Sequence, residues 1–417
     1  MLYEFSFSNY RSYKNETSID FIAKPIAEFE NSLINTGSTQ LLPVCAIYGT
    51  NGGGKSSVLM AVKSLQTIVL SPLMQLAFMK KKNEKLSEIT LEELNNNISV
   101  INEEAVHYKW DDESATKPTC YSVLFEVDEC KYRYELKSFK DTITEENLYI
   151  EKDGIADALF GRDLESVYLC EELEGVDIEN INEGLPLLSY IGMFKNIEKI
   201  DNVLRFFYHI QTINFDNPTS DRTIFVKSIE RDKKRILNVV QSMGIDICDI
   251  RIEYEDDGKV KEVYTKHKLE NGAHKELAFS EESSGTRKIF SILPVILSGM
   301  DKGKFFVIDE LDAKLHPVLL QRIIELFTEP LVNTKGAQML FTSHDMTTMS
   351  GKVFRRDEIW FSAINGHDES VLYSLVDFRK KNGKKVRNDE IYSKQYLEGR
   401  YGADPYLKQM INWEVQN

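Results

Sequence analysis

The chain has 417 residues, 42% of them hydrophobic, with 51 lysines and arginines against 66 acids and a net charge of −15. That length supports two or three lobes, each with its own core, and the composition excludes a disordered or fibrous chain. The acidic balance opposes unspecific wrapping of nucleic acid, so any such contact has to be local.

Taken in chain order, the opening MLYEFSFSNYRSYKNE lacks the basic-then-apolar layout of a signal peptide and reads as an alternating strand from Leu2 to Ser8. A second apolar run, LLPVCAIY, leads into the glycine-rich stretch AIYGTNGGGKSSV at 46–58, and SSVLMAVKSLQTIVL then shows helical spacing of apolar residues. No run approaches the roughly eighteen uncharged apolar residues expected of a membrane-spanning helix, so the expectation is a cytosolic protein without a membrane partner. Residues 79–105 are polar and helix-prone with no heptad seam. From 107 to 151, period-two alternation around acidic turns (YSVLFEVDECKYRYELKSF) predicts an antiparallel sheet.

Between about 155 and 245 the pattern is mostly helical, with IEKIDNVLRFFYHI and SIERDKKRILNVVQSM carrying apolar residues three and four apart, and predicts an arm or lid. Period two returns at 249 (IRIEYEDDGKVKEVYTKHKL). A helix, an apolar strand at FFVID, another helix and a strand at QMLFTS follow. Such alternation points to an α/β core with a largely parallel sheet. The predicted lobes are therefore 1–150, 151–245 and 246–417. The five cysteines (Cys45, Cys120, Cys130, Cys170, Cys248) are widely spaced with no C-x-x-C pair, which fits reduced structural thiols and indicates neither a zinc site nor a disulfide frame.

Gly49, Gly54, Lys55 and Ser56 satisfy G-x-x-x-x-G-K-[ST], the phosphate-binding loop. Backbone amides converge on phosphate oxygens only where side chains are absent, hence Asn51, Gly52, Gly53 and Gly54, and the following helix start adds a favourable dipole. Lys55 would reach the β and γ phosphates of ATP, the Ser56 hydroxyl would ligate Mg²⁺, and Ser57 would line the same turn. The alternative is a flexible glycine turn, but the pattern arises by chance in only roughly one chain per hundred of this length. FFVIDE at 305–310 adds an apolar strand that ends in two acids, which buried strands do not normally do unless the acids face a site. Asp309 would hold the Mg²⁺ and Glu310 would orient and activate the attacking water. The two halves of this site, at residues 55 and 309, imply a long insertion between them.

With EESSGTRKIFSILPVIL upstream of the acids and LDAKLHP and FTSHD downstream, the sequence resembles the ABC-type ATPase heads related to SMC and RecF proteins. That resemblance implies an α/β phosphate-loop head with an antiparallel β subdomain and a helical insertion. It also implies dimerisation around ATP and slow hydrolysis. Ser284, Gly285, Thr286 and Arg287 match the superfamily's S-G-G-Q signature with two changes and would bind the γ-phosphate held by an opposite subunit; a simple N-cap at Ser283 or Ser284 is the alternative. Leu311–Leu315 corresponds to the D-loop, with Asp312 near the dimer seam and Lys314 where a small residue is usual. His344 corresponds to the switch histidine, although a lone histidine after a strand is more often structural. Asn9, Tyr10, Arg11 and Ser12 resemble the segment that reaches the nucleotide, Arg11 being the contact. His316 reads as helix-start packing, and no glutamine loop is assigned.

A narrower set of motifs, SSGTRK, VIDELDAKLHP, FTSHD, RRDEIWF and YLEGRYGADP, looks like the ATPases of abortive-infection and related anti-phage systems, the RloA and AbiL type, over roughly 1–65 and 275–410. That resemblance implies a TOPRIM nuclease-like partner protein and a phage protein as trigger. Two other readings stand beside it: a RecF- or SMC-like DNA-repair ATPase, and a nuclease in its own right. The DNA reading needs a basic groove, for which RKKNGKKVR at 379–387, six basic residues in nine, is the local patch; a solvated hairpin is its other reading.

Overall fold

The structure is a computed structural model, and it describes residues 1–37, 39–82, 106–152, 154–176, 178, 181–213, 222–380 and 383–402. Most of the polar stretch 79–105 and the end of YLEGRYGADP lie outside the described residues, as do two positions of RKKNGKKVR.

The chain opens with β1 (Leu2–Ser8) and β2 (Thr17–Asp20), then the short pair β3 (Ile34–Asn35) and β4 (Gln40–Leu41). Next come β5 (Val44–Gly49) and the long helix α1 (Lys55–Lys82). Five strands follow: β6 (Thr119–Val127), β7 (Cys130–Phe139), β8 (Thr142–Lys152), β9 (Ile155–Asp163) and β10 (Val167–Leu169). They join β1 and β2 in a seven-stranded sheet of order β10-β9-β8-β7-β6-β1-β2 with every pairing antiparallel. Alternation drives this sheet: along β7, Tyr132, Tyr134 and Leu136 are buried while their neighbours are not. At the β6–β7 hairpin Val127 faces Cys130, so Asp128 and Glu129 both take positive φ, the geometry a two-residue turn needs to match strand twist.

The helical reading of 155–245 is corrected at its start. β9 and β10 extend the sheet, because the chain reverses at Gly154 (φ +79) and Ile155 pairs back onto Lys152. Among the described residues a short 3-10 turn at Glu171–Leu173 precedes the α-helices α2 (Leu187–Phe194) and α3 (Glu198–His209). Neither projects as an arm: Leu188, Ile191, Val203 and Phe207 are buried in the same core as α1, and the Phe206 ring stacks on Phe125 at 3.9 Å.

After β11 (Ile210–Ile213) comes α4 (Arg222–Ser242), which is broken at Asp232 by non-helical backbone (φ −144, ψ 39). A small antiparallel sheet follows, of β12 (Asp249–Tyr254), β13 (Val260–Lys268) and β14 (His274–Ala278). The remaining elements are α5 (Ser284–Met300), β15 (Phe305–Ile308), α6 (Pro317–Thr328), β16 (Gln338–Thr342), β17 (Ile359–Ile364), β18 (Ser370–Ser374) and α7 (Tyr392–Leu397).

The second large sheet has the order β11-β15-β16-β5-β17-β18, parallel throughout except for its last pair. Both of its faces are covered, which is why its strands read as unbroken apolar runs. Along β5, Cys45 and Ile47 point into the core shared with α1 and the antiparallel sheet, while Val44, Ala46 and Tyr48 point into the core shared with α4, α5 and α6. Helix α1 is thus sandwiched between two sheets. Its stretch Lys55–Met79 has mean hydropathy 1.4 and is by length and composition long and apolar enough to cross a membrane, although Lys63 and several polar residues interrupt it, so it is not an uncharged apolar run. Just over half of it, 56%, is buried inside the protein.

Candidate functional site

Parallel strands end with their carbonyls and following loops at one edge of the sheet, and crevices at that edge are where such folds take ligands. Three adjacent strands, β5, β16 and β15, bring the site together there. The loop after β5 spans Gly49 to Gly54, and α1 begins at Lys55, so its first amides point at the loop. Gly49 is dictated by the neighbouring strand: a methyl group built on it would lie 2.1 Å from the Ser362 carbonyl oxygen of β17. At Gly54, where φ is +102, it would meet the Ser370 side chain at 2.5 Å and the Tyr13 ring at 2.9 Å. Asn51 and Gly52 are exposed and Gly53 is buried.

Lys55 is buried, and its Nζ donates to the carbonyls of Gly49 (2.9 Å) and Thr50 (3.0 Å). Burial lowers its pKa from the ordinary lysine value, against the opposing pull of Asp309, Glu310 and Asp312. The Ser56 hydroxyl donates to Asp309 Oδ1 at 3.1 Å, joining residues 253 positions apart. Ser57 follows on the first turn, its amide donating to the Gly54 carbonyl at 3.0 Å. The strand between them supplies Thr342, whose Oγ1 donates to Asp309 Oδ1 at 2.5 Å and accepts the Glu310 amide at 2.8 Å. Glu310 itself has φ +46, a left-handed conformation that costs a non-glycine residue about 1–3 kcal/mol and persists only where surroundings hold it.

His344 Nε2 lies 3.9 Å from Glu310 Oε1, and the His344 amide donates to Asp312 Oδ2 at 3.1 Å. Glu310, Asp312 and His344 therefore form one group at the ends of β15 and β16. His316 acts as the N-cap of α6, its Nδ1 accepting from the Val318 amide at 3.3 Å, as helix-start packing requires.

The Ser283–Thr286 turn opens α5. Ser283 rather than Ser284 is the N-cap, accepting from the Thr286 amide at 3.1 Å, which leaves Ser284 and Gly285 on the first helical turn. This turn packs on the 310–315 segment of its own chain: a methyl group on Gly285 would lie 3.3 Å from the Lys314 carbonyl oxygen. Arg11 is exposed, with φ +51 and its guanidinium 5.8 Å from the Tyr10 ring centre.

Four residues that the sequence reading did not single out organise the site. Besides Thr342, Lys288 is buried and its Nζ donates to the carbonyls of Ala313, Leu311 (3.2 Å) and Glu310 (3.4 Å), tying α5 to the turn after the two acids. Tyr13 bonds Ser362 (2.8 Å), whose hydroxyl donates to the Gly53 carbonyl (2.6 Å) and so props the loop from below. Ser362 carried the one legible signal, a hydroxyl inside the apolar strand IWFSAI. Thr342 and Lys288 carried none.

The donors that converge, a serine hydroxyl and a carboxylate at a helix start, are hard oxygen ligands of the kind magnesium takes together with substrate phosphates and water. Among the described residues no cluster of His, Cys, Asp and Glu forms a metal cage. Three of the six basic residues in 379–387 have local partners: Arg379 bonds the carbonyls of Val376, Asp377 and Phe378, Lys380 pairs with Glu390 (2.7 Å), and Arg387 pairs with Asp389 (2.8 Å).

The fold and site define an α/β protein with a phosphate-binding loop and a facing pair of acids on a parallel sheet. A family profile described as an AAA domain, putative AbiEii toxin, Type IV TA system, matches residues 182–350, which include Ser284, Asp309, Glu310 and His344. No curated protein matches the chain. Among solved structures, the SMC head domain from Thermotoga maritima is 14% identical, covering 89% of this chain and 98% of that one, with a TM-score of 0.45. An Smc head bound to the C-winged helix domain of ScpA is 14% identical (89% and 97% covered, TM-score 0.43). An Smc head with a coiled coil and joint derived from Pyrococcus yayanosii is 11% identical (90% and 97% covered, TM-score 0.37).

Proposed function

We propose that the chain is an ABC-type ATPase that binds MgATP at the Lys55 loop, hydrolyses it slowly, and closes into a homodimer around it. The observation that carries this reading is the Ser56–Asp309 hydrogen bond at 3.1 Å, which puts a magnesium-type ligand pair beside the phosphate loop. Lys55 would hold the β and γ phosphates, Ser56 and Asp309 would orient the magnesium and its water, and Glu310 would take the proton of the attacking water with His344 beside it. Bound magnesium would neutralise phosphate charge as the terminal phosphoryl group departs.

The dimer reading follows from where the signature turn sits. Ser284, exposed, and Gly285 and Thr286, half-buried, stand at the start of α5 against their own 310–315 segment, and with the Thr286 amide bonded to Ser283 a second copy facing the loop would present the Ser284 and Gly285 amides to the γ-phosphate. Asp312 would then lie at the seam. A nucleotide-dependent interface of this kind is a two-state element that a partner or trigger can bias.

On the motif set SSGTRK, FTSHD and RRDEIWF, the biological role we infer is in bacterial antiviral defence, with the ATPase restraining a TOPRIM nuclease-like partner until a phage protein is sensed. The AAA-domain match to a putative toxin family over 182–350 agrees with a defence setting. Arg379, Lys380 and Arg387, half of the basic residues in 379–387, are engaged by neighbouring carbonyls and acids, which weighs against a DNA-binding patch there.

The decisive experiment combines Glu310→Gln with native-mass measurement in MgATP. The expected result is turnover reduced at least about a hundredfold with ATP retained and a dimer accumulated. Undiminished turnover would remove Glu310 from the chemistry, and a monomer at saturating ATP would remove the shared site. Purification from the native operon tests the partner: absence of a nuclease-like protein would overturn that assignment.

A further inference from the structure

The turn that opens α5 is anchored by one buried side chain. From Glu281 to Arg287 every residue is exposed or half-buried except Glu282, whose side chain is 7% exposed. A carboxylate taken out of water is costly unless donors meet it, and here two do. The Thr265 hydroxyl donates to Glu282 Oε1, and His267 Nε2 lies 2.6 Å from the same oxygen. Both partners belong to β13. Standing two residues apart, they share the strand face on which Val263 is buried with the core around α5.

The segment around Glu282 is otherwise bonded mainly to itself. Glu282 directly precedes Ser283, the N-cap of α5, which accepts the Thr286 amide at 3.1 Å. Arg287 Nη1 donates to the Ser280 carbonyl at 2.9 Å, closing residues 280–287 on themselves. The Ser284 and Gly285 amides are the first two of the helix and have no intrahelical acceptor, so their direction follows the position of the turn. Lys288 ties the helix to the carbonyls after the two acids, while Glu282 ties its entry to β13. The signature turn lies between these two anchors.

We propose that Glu282, held by Thr265 and His267, is a positioning residue for the nucleotide site: it sets the Ser284 and Gly285 amides where they meet the γ-phosphate bound by a second copy. This rests on the dimer reading of the signature turn. Donors fixed in place before association need no ordering when they bind, and a small misplacement caused by a change remote from the chemistry weakens the step that uses them. Glu282 stands outside the phosphate loop of its own chain, so its effect is confined to closure and turnover. ATP binding by a single copy through Lys55 does not depend on it.

The test uses the full chain and three readouts: affinity for a fluorescent ATP analogue under dilute, monomeric conditions, native mass in MgATP, and turnover. Glu282→Ala is expected to bind the analogue within about twofold of the parent, yet to need at least about tenfold more protein to dimerise and to lose turnover in step. Glu282→Gln keeps an acceptor for Thr265 and His267 and should recover most of both. Val263→Ala is the control, since it opens a cavity on the same strand face without touching the anchor, and it should lower stability while dimerising like the parent. Should Glu282→Ala not fold, His267→Ala, which leaves the Thr265 bond, decides by the same readouts. If the anchor variant dimerises and turns over like the parent, or if Val263→Ala loses dimerisation to the same degree, Glu282 holds the fold only and the assignment is overturned. A parent that stays monomeric at saturating MgATP removes the dimer reading and the positioning role together, whereas a dimerising parent with an indifferent Glu282→Ala removes the positioning role alone.

Discussion

Thr342 holds Asp309. Its hydroxyl donates to the carboxylate at 2.5 Å while accepting the amide of Glu310 at 2.8 Å, so one side chain fixes both acids of the candidate site. Replacement by valine keeps the shape and removes both bonds. We expect Thr342→Val to cost about 1–3 kcal/mol of stability through the orphaned Glu310 amide. Turnover should fall roughly 10- to 100-fold with a much smaller change in ATP affinity, because the acids lose their aim rather than their charge. Denaturant melts and steady-state kinetics check both.

Lys288 is the brace between α5 and the turn after the acids, its ammonium shared among the carbonyls of Glu310, Leu311 and Ala313. Lys288→Met fills the same space without donors and leaves those carbonyls short of a cation. A loss of about 2–4 kcal/mol in unfolding free energy is expected, with ATP-dependent dimerisation impaired beyond what the lower stability explains.

Lys55 provides a pH test. Burial lowers its pKa in the free protein, so above that pKa the loop binds triphosphate only by taking up a proton. Affinity for a fluorescent ATP analogue should therefore fall as pH rises from neutrality through the free-state pKa, which lies below the ordinary lysine value. Lys55→Met should bind weakly and show a flat profile over the same range. An equally steep profile in the variant would mean another group is responsible.

Arg355 separates stability from chemistry. It has no exposed surface, pairs with Asp357, and also donates to the carbonyls of Lys24, Ile26 and Glu28, fastening residues 24–28 to the start of β17. Arg355→Ala leaves Asp357 buried without its cation and should cost about 3–5 kcal/mol. Arg355→Lys should recover little of this, since an ammonium cannot reproduce the planar fork. ATP affinity of the folded fraction should stay unchanged, because the glycine loop is at the other end of the sheet.

Much of the site was legible before any coordinates. The loop Gly49–Ser56 and the acids Asp309 and Glu310 announce themselves because phosphate binding demands residues without side chains at fixed spacing, and because an apolar strand ending in two acids is costly without a purpose. The alternation of β6, β7 and β8 and the helical spacing of α3 are local consequences of burying one face. β9 and β10 were not legible: the stretch 155–169 lacks clean alternation, and its place depends on hydrogen bonds to β8. Helix α1 shows the converse. Its length and mean hydropathy pass the test for a membrane span, and the sheets together with α2 and α3 packed around it give its apolar surface another destination.

The sequence by itself determined the phosphate loop, the acid pair and the alternating strand–helix order, since each is written in residues close together along the chain. The tertiary structure decided that Ser56 meets Asp309 and that Thr342 and Lys288 fix the acids. The physical reason is range. Backbone geometry and periodicity act over a few residues, whereas a hydrogen bond or an unpaired charge exists only once distant segments are packed and water is excluded.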